Sequence, residues 1–225
     1  MEETSRIESL IGTDIEKLKN AKILIFGVGG VGSYVVEMLA RSFVGHLTIV
    51  DSDIVQKSNI NRQLIAYQST IGLDKVFVEK QRILDIFPNC EVITHKMFVL
   101  PENLSFFEFS KYDYIIDAID TVSAKIAIIE KAQKENVKII SSMGTGNKFH
   151  PELLKIMDIS KTSVCPLARV MRYELRKRNI NHLTVLSSTE APVKTASNVP
   201  GSMAYVPSAA GILIASHVIN EILGK

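Results

Sequence analysis

Apolar residues along this 225-residue chain fall into short unbroken runs separated by stretches of helical period. Ile23 to Phe26 is one such run, with the bulky character of a strand buried on both faces. Ser33 to Arg41 then repeats its apolar residues at helical spacing, and a second run, Leu47 to Val50, ends on Asp51. Further on, Leu73 to Phe87, Thr121 to Glu135 and Cys165 to Arg178 predict helices, the last started at Pro166. Glu91 to His95, Tyr112 to Ala118, Val137 to Ser142, Leu153 to Ile159 and Leu183 to Ser187 predict strands. Pro101 to Phe109 predicts one short helix, and residues 1–20 two helical pieces broken at Gly12. Strand and helix alternate up to Lys148, which predicts a parallel sheet with right-handed crossovers. Past Lys148 the rhythm changes, and Lys194 to Gly201 reads as a mobile Ser/Thr/Asn/Pro/Gly-rich loop.

Between the first strand and the first long helix lie Gly27, Gly29, Gly30 and Gly32. Strand, glycine turn, helix, strand and acid form the layout in which a nucleotide approaches the backbone at a helix N-terminus. Asp51 lies 19 residues beyond Gly32, where an acid accepts hydrogen bonds from a ribose, and Asp53 is grouped with it as a nucleotide-side candidate. The expected fold is therefore α/β, a Rossmann-like doubly wound, largely parallel sheet with a C-terminal extension of extra strands and helices. The glycines alone do not say which nucleotide.

Charge and cysteines narrow the class. The net charge of +2 argues against wholesale coating by nucleic acid, so a basic partner surface must be local. Two cysteines, Cys90 and Cys165, exclude a disulfide framework or a four-cysteine zinc site and fit a reducing cytoplasm. Cys165 at a helix start is open to two readings, nucleophile or packing residue. The N-terminus shows no apolar core of signal-peptide type. Val206 to Leu223 is apolar, but Ser216, His217, Asn220 and Glu221 interrupt it, which predicts a docking helix without stable membrane insertion.

The segment Ile54 to Gln68 is polar and holds Asn59, Asn61, Arg62 and Gln63 within five positions, where a triphosphate would lie. Asp51, Arg62, Lys75 and Asp120 together provide what charge movement on a polyphosphate requires: two cations and an acid for Mg2+. Taken singly, Arg62 and Lys75 read as surface charges and Asp120 as a cap for the next helix. GVGGVGS, DSDIVQKSNINRQ, GLDKV and DAIDT resemble the E1-like (ThiF/MoeB/HesA) adenylating superfamily. RIESLIG, IISSMGTGNK, DISKTSVCPLARVMR and GSMAYVPSAAGILIASHVI are similar to its tRNA threonylcarbamoyladenosine dehydratase branch.

The resemblance implies a single adenylating domain over 1–225, with a nucleotide-binding half, 1–147, and a substrate and dimer-side half, 148–225. It implies that the glycines line the phosphates of ATP and that Asp51 holds the ribose. Asn59, Arg62 and Lys75 would contact phosphate, and Asp120 would bind Mg2+. Arg6 would enter the site of a partner subunit, which makes a homodimer necessary. The implied activity is ATP-dependent cyclisation of threonylcarbamoyladenosine in tRNA, at the anticodon-adjacent adenosine. The branch also brings a monovalent cation (Na+ or K+), whose ligands the sequence does not place, and in some bacteria a cysteine desulfurase and sulfur-acceptor system. The competing readings are activation of a sulfur-carrier protein's C-terminus, an NAD-dependent oxidoreductase, and an RNA-binding module with a relict nucleotide site.

Between Lys161 and His182, the cations Lys161, Arg169, Arg172, Arg176, Lys177 and Arg178 face Glu174 alone, a balance of +5 in a chain of net +2. Arg169, Arg172 and Arg176, spaced i, i+3, i+7, share one helix face and predict an RNA phosphate track. No aromatic platform is expected among them, so stacking of single-stranded bases is not expected.

Overall fold

The computed structural model describes residues 3–197 and 199–225. The signal-peptide reading starts at Met1 and Glu2, and the loop expected over Lys194 to Gly201 includes Asn198; these three positions lie outside the described residues. Helices α1 (Ser5–Ile11) and α2 (Ile15–Asn20) are separated at Gly12, whose φ of +60° suits a residue without Cβ. Strand β1 (Lys22–Phe26), helix α3 (Gly32–Arg41) and strand β2 (His46–Val50) form the first βαβ unit. Then follow α4 (Lys75–Ile86), β3 (Glu91–His95), β4 (Tyr114–Asp117), α5 (Val122–Lys134) and β5 (Lys138–Ser142). The chain closes with β6 (Leu154–Asp158), α6 (Pro166–Arg176), β7 (Thr184–Ser188) and α7 (Tyr205–Leu223).

The strands lie in the order β3-β2-β1-β4-β5-β7-β6, parallel throughout except for β6 against β7. The C-terminal strands therefore extend the same sheet. The order reverses between β1 and β4, and the crevice outside their C-terminal ends is where such sheets bind ligands.

Residues of β1 alternate between two cores, which is why its sequence reads as an unbroken apolar run. Ile23 and Ile25 pack with α3 and α7, whereas Leu24 and Phe26 pack with α5 and α6. Phe26 meets Phe107 and Phe109 at 5.4 and 5.8 Å between ring centroids. Those two phenylalanines explain a correction. The single helix expected over Pro101 to Phe109 is instead two 3-10 turns, Pro101–Phe106 and Phe109–Lys111. Residues two apart point to different sides of a helix, so both rings reach the core only if the helix stops.

Helix α7 is long and apolar enough to cross a bilayer, with a mean hydropathy of 1.4. Here it docks on α3. A Cβ on Gly211 would stand 2.5 Å from the Val31 carbonyl oxygen and 2.7 Å from Tyr34 Cβ, so only glycine permits this approach.

Candidate active site

The four glycines of the first turn do two kinds of work. Gly27 has φ +90°, and a Cβ there would lie 2.8 Å from the Ala118 carbonyl oxygen. A Cβ on Gly32 would lie 1.8 Å from the Gly27 carbonyl oxygen. The protein's own packing demands glycine at both positions. At Gly29 the nearest atom to an added Cβ would be Gln63 Nε2 at 3.8 Å, and at Gly30 it would be Arg62 Cγ and Pro207 Cβ at 3.4 Å. Gly29 leaves room on the side facing the polar insert, whereas at Gly30 the Arg62 stem and Pro207 close in to contact distance.

That insert is latched onto the turn. Ser33 Oγ donates to the Gly29 carbonyl at 2.7 Å and accepts the Leu64 N–H at 3.2 Å. The aliphatic stem of Arg62 consequently lies beside Gly30, while its Nη1 donates to the Ser58 carbonyl and to Asn61 Oδ1, both at 2.9 Å. Asn59 is buried, and its Oδ1 accepts the Gln56 N–H at 3.0 Å, closing the 3-10 turn Lys57–Asn59. Gln63 is 7% exposed, and its Oε1 is buried without a hydrogen-bond partner among the described residues. The amide nitrogen Nε2, a donor, is the Gln63 atom that stands next to Gly29.

Asp51 closes β2 and turns toward the glycines. Its Oδ2 accepts the Val28 N–H at 2.8 Å and its Oδ1 accepts the Asp53 N–H at 2.9 Å. A carboxylate has about four lone-pair sites, so acceptor capacity remains for ribose hydroxyls. Lys75, the first residue of α4, is buried and places Nζ 2.7 Å from Asp53 Oδ2 and 4.0 Å from Asp51 Oδ1. Asp120 follows β4 across the crevice, is exposed, and makes no hydrogen bond or ion pair among the described residues. The capping role open to it in the sequence is not used: Thr121 occupies the N-cap of α5, and no side chain caps that helix.

Among the described residues no group of three or more His, Cys, Asp or Glu could hold a metal by itself. Magnesium needs no such cage, because it is held by one or two carboxylates together with substrate phosphates. A free Asp120 at the switch point fits that donor set.

Sequence reasoning missed the support beneath Asp120. Lys125, fully buried in α5, sends Nζ to Asp117 Oδ2 at 2.9 Å and to the Ile119 and Ser142 carbonyls at 3.0 and 2.9 Å. Ser141 Oγ donates to the same Asp117 oxygen at 2.6 Å. A lysine within the apolar stripe Ala124, Ile128, Ile129 was the available signal. Asn147 was also missed: its Oδ1 accepts the Gly201 N–H at 2.6 Å and its carbonyl accepts the Val193 N–H at 2.8 Å, so the loop read as mobile is pinned near both ends. Glu79, one turn beyond Lys75, is fully buried, and neither carboxylate oxygen has a hydrogen-bond partner among the described residues. Burial first, and the nearby Glu37 charge second, push its carboxyl well above the usual range.

The remaining candidates lie away from the turn. Arg6 sits exposed on α1, a helix that buries none of its residues. Cys165 is buried at the start of α6, 3.5 Å from where a Cβ on Gly144 would stand, and packs in the core. Of the six cations predicted to face RNA, three are engaged within the protein. Arg172 Nη1 donates to the Thr162 carbonyl at 2.9 Å and also bonds its hydroxyl. Lys177 and Arg178 both pair with Glu174 at 2.9 Å. Lys161, Arg169 and Arg176 are exposed and make no ion pair among the described residues. The expectation of no aromatic on this face is corrected: Tyr173 lies on it, 63% exposed. The sequence places Tyr173 four residues after Arg169 and three before Arg176, a helical neighbour of both.

Known proteins resemble this chain over nearly its whole length. The Bacillus subtilis protein named tRNA threonylcarbamoyladenosine dehydratase is 43% identical over 239 residues, covering 97% of this chain and 94% of that one. The crystal structure of Escherichia coli tRNA N6-threonylcarbamoyladenosine dehydratase (TcdA) in complex with ATP matches with a TM-score of 0.93 at 30% identity, over 99% of this chain and 94% of that one. The complex of the same enzyme with AMP matches at 0.92 and 31% identity, over 98% and 93%. The ThiF family model matches residues 4–225. From its first helix to its last residue, the chain belongs to the ThiF family.

Proposed function

We propose that this chain is an ATP-dependent tRNA threonylcarbamoyladenosine dehydratase. The observation that carries the reading is the convergence of Arg62, Gln63 and Asp51 on a glycine turn, with a free Asp120 at the same switch point. Two structures of one relative, the Escherichia coli enzyme, one with ATP and one with AMP, support a nucleotide in this crevice.

In this reading Asp51 accepts the ribose hydroxyls, and Gly29 and Gly30 let the phosphates approach the backbone. Asn59 shapes the insert from below, and Arg62 and Lys75 exchange their present partners for phosphate oxygens. The threonyl carboxylate oxygen attacks the α-phosphorus of ATP and pyrophosphate leaves. The carbamoyl nitrogen then attacks the acyl carbon, loses its proton, and AMP departs. The carboxylate is already ionised near neutral pH, so no side-chain base is required for the first step. The protein supplies position and charge neutralisation as negative charge gathers on the leaving oxygens. Asp120 would hold Mg2+, which screens the phosphate charge when bound. The monovalent cation of related enzymes has no assigned ligands here.

Residues 1–225 act as one unit, 1–147 holding the nucleotide and 148–225 meeting substrate and partner. A homodimer fits α1, whose unburied surface carries Arg6 and the 81% exposed Leu10 toward solvent. Lys161, Arg169 and Arg176 supply the free charge for tRNA phosphates, and Arg172, Lys177 and Arg178 hold that helix in shape. The unpaired buried cysteines suit the cytoplasm, and a sulfur-relay partner attaches to this reading by family resemblance alone.

The test is AMP formation from ATP with tRNA bearing threonylcarbamoyladenosine. Arg62→Ala and Asp120→Ala should each lose it by roughly 100-fold or more with an unchanged melting temperature. Normal turnover in either variant sinks the assignment. AMP formed only when a small carrier protein is supplied would transfer it to the carrier-activating reading.

A further inference from the structure

Helix α6 divides cleanly by period. Ala168, Met171 and Leu175 enter the core, while Arg169, Val170, Tyr173 and Arg176 stay in solvent. Its N-terminal end is held beside Gly144, in the loop leaving β5, so it starts at the same C-terminal sheet edge as the glycine turn. Lys177 Nζ stands 4.0 Å from the centroid of Tyr173, yet the ring remains 63% exposed. One face is shielded by a cation, and the rest is available. Arg169 and Arg176 are helical neighbours of the ring and make no ion pair among the described residues.

Solvated cations at helical spacing suit an anion with repeated charge, and a free aromatic ring between them suits a flat partner. An unpaired nucleotide offers both at once. Bases become available in this way in RNA loops, where stacking on aromatic side chains is the usual mode of capture. A duplex would present phosphates but no base face to the ring.

We propose that Tyr173 is a stacking platform for one unpaired base of the RNA substrate, with Arg169 and Arg176 on the adjoining phosphates. The inference rests on the reading of the substrate as tRNA. It gives α6 a docking role and leaves the adenylation chemistry to the crevice.

The probes are an unmodified tRNA transcript and its anticodon stem-loop, with 2-aminopurine placed at each loop position in turn. Wild type, Tyr173→Phe, Tyr173→Ala and the double variant Arg169→Gln/Arg176→Gln are compared by fluorescence across a salt series. Wild type and Tyr173→Phe should quench one loop position. Tyr173→Ala should lose that quench and bind roughly tenfold more weakly, with an unaltered salt slope. The double variant should keep the quench and reduce the slope by about 1.4, the expectation for two single-strand phosphate contacts. ATP binding in the absence of RNA should be equal in all four, which shows that each is folded. Quenching and affinity in Tyr173→Ala equal to wild type would overturn the platform while leaving the tRNA reading in place. Wild type that binds neither RNA would overturn both.

Discussion

Lys125 Nζ and Asp117 Oδ2 lie 2.9 Å apart with both side chains wholly excluded from solvent. The lysine has three N–H donors, and Asp117, Ile119 and Ser142 take one each. Ile119 adjoins Asp120, so a buried ion pair grips the strand end that carries the exposed acid. Removing one partner of such a pair costs about 3–5 kcal/mol, because a charge is left buried alone. Lys125→Met should therefore lower the unfolding free energy in urea by that amount. Lys125→Met combined with Asp117→Leu should lose less than the single variant, since no orphaned charge remains. Equal stability of Lys125→Met and wild type would remove the pair from the account.

Glu79 supplies a test by pH. Its carboxyl is held well above the ordinary value of 4.5, so between that value and its own titration the folded state keeps a proton that the unfolded chain has released. Stability then falls as pH rises through this window. Glu79→Gln removes the titration, so its melting temperature should match wild type near pH 4 and exceed it by a growing margin toward neutrality. A margin that stays constant with pH would show that Glu79 does not titrate in this way.

The parts of this fold legible in the sequence were those where one local rule dominates. The apolar runs of β1, β2, β4 and β5 announce strands buried on both faces, and the glycines announce the turn. Asp51, Arg62, Lys75 and Asp120 stand out as candidates because charged residues recur toward the C-terminal ends of successive strands. What stayed hidden was set by tertiary contact. Lys125 reads as an ordinary helix lysine until Asp117 is seen beneath it. Asn147 carries no local sign that Gly201 lies against it. Tyr173 is masked in the sequence because the arginine spacing puts Arg172 on the same face, whereas Arg172 turns back to Thr162 and leaves the exposed ring between Arg169 and Arg176.

Mixed dimers test the role of Arg6. If the partner's Arg6 completes each site, Arg6→Ala and Asp120→Ala should each be inactive alone. After subunit exchange at equal amounts, half of the dimers hold one intact site, so about a quarter of wild-type activity should return. No recovery, despite exchange shown by mass spectrometry, would mean that Arg6 serves its own subunit or none.

The central claim is ring closure on tRNA driven by ATP. It is tested most directly by incubating the protein with ATP and tRNA bearing threonylcarbamoyladenosine, digesting the RNA, and weighing the modified nucleoside. The account predicts a nucleoside lighter by one water, with one AMP released per nucleoside converted. A nucleoside of unchanged mass, from protein that is folded and binds ATP, would contradict it.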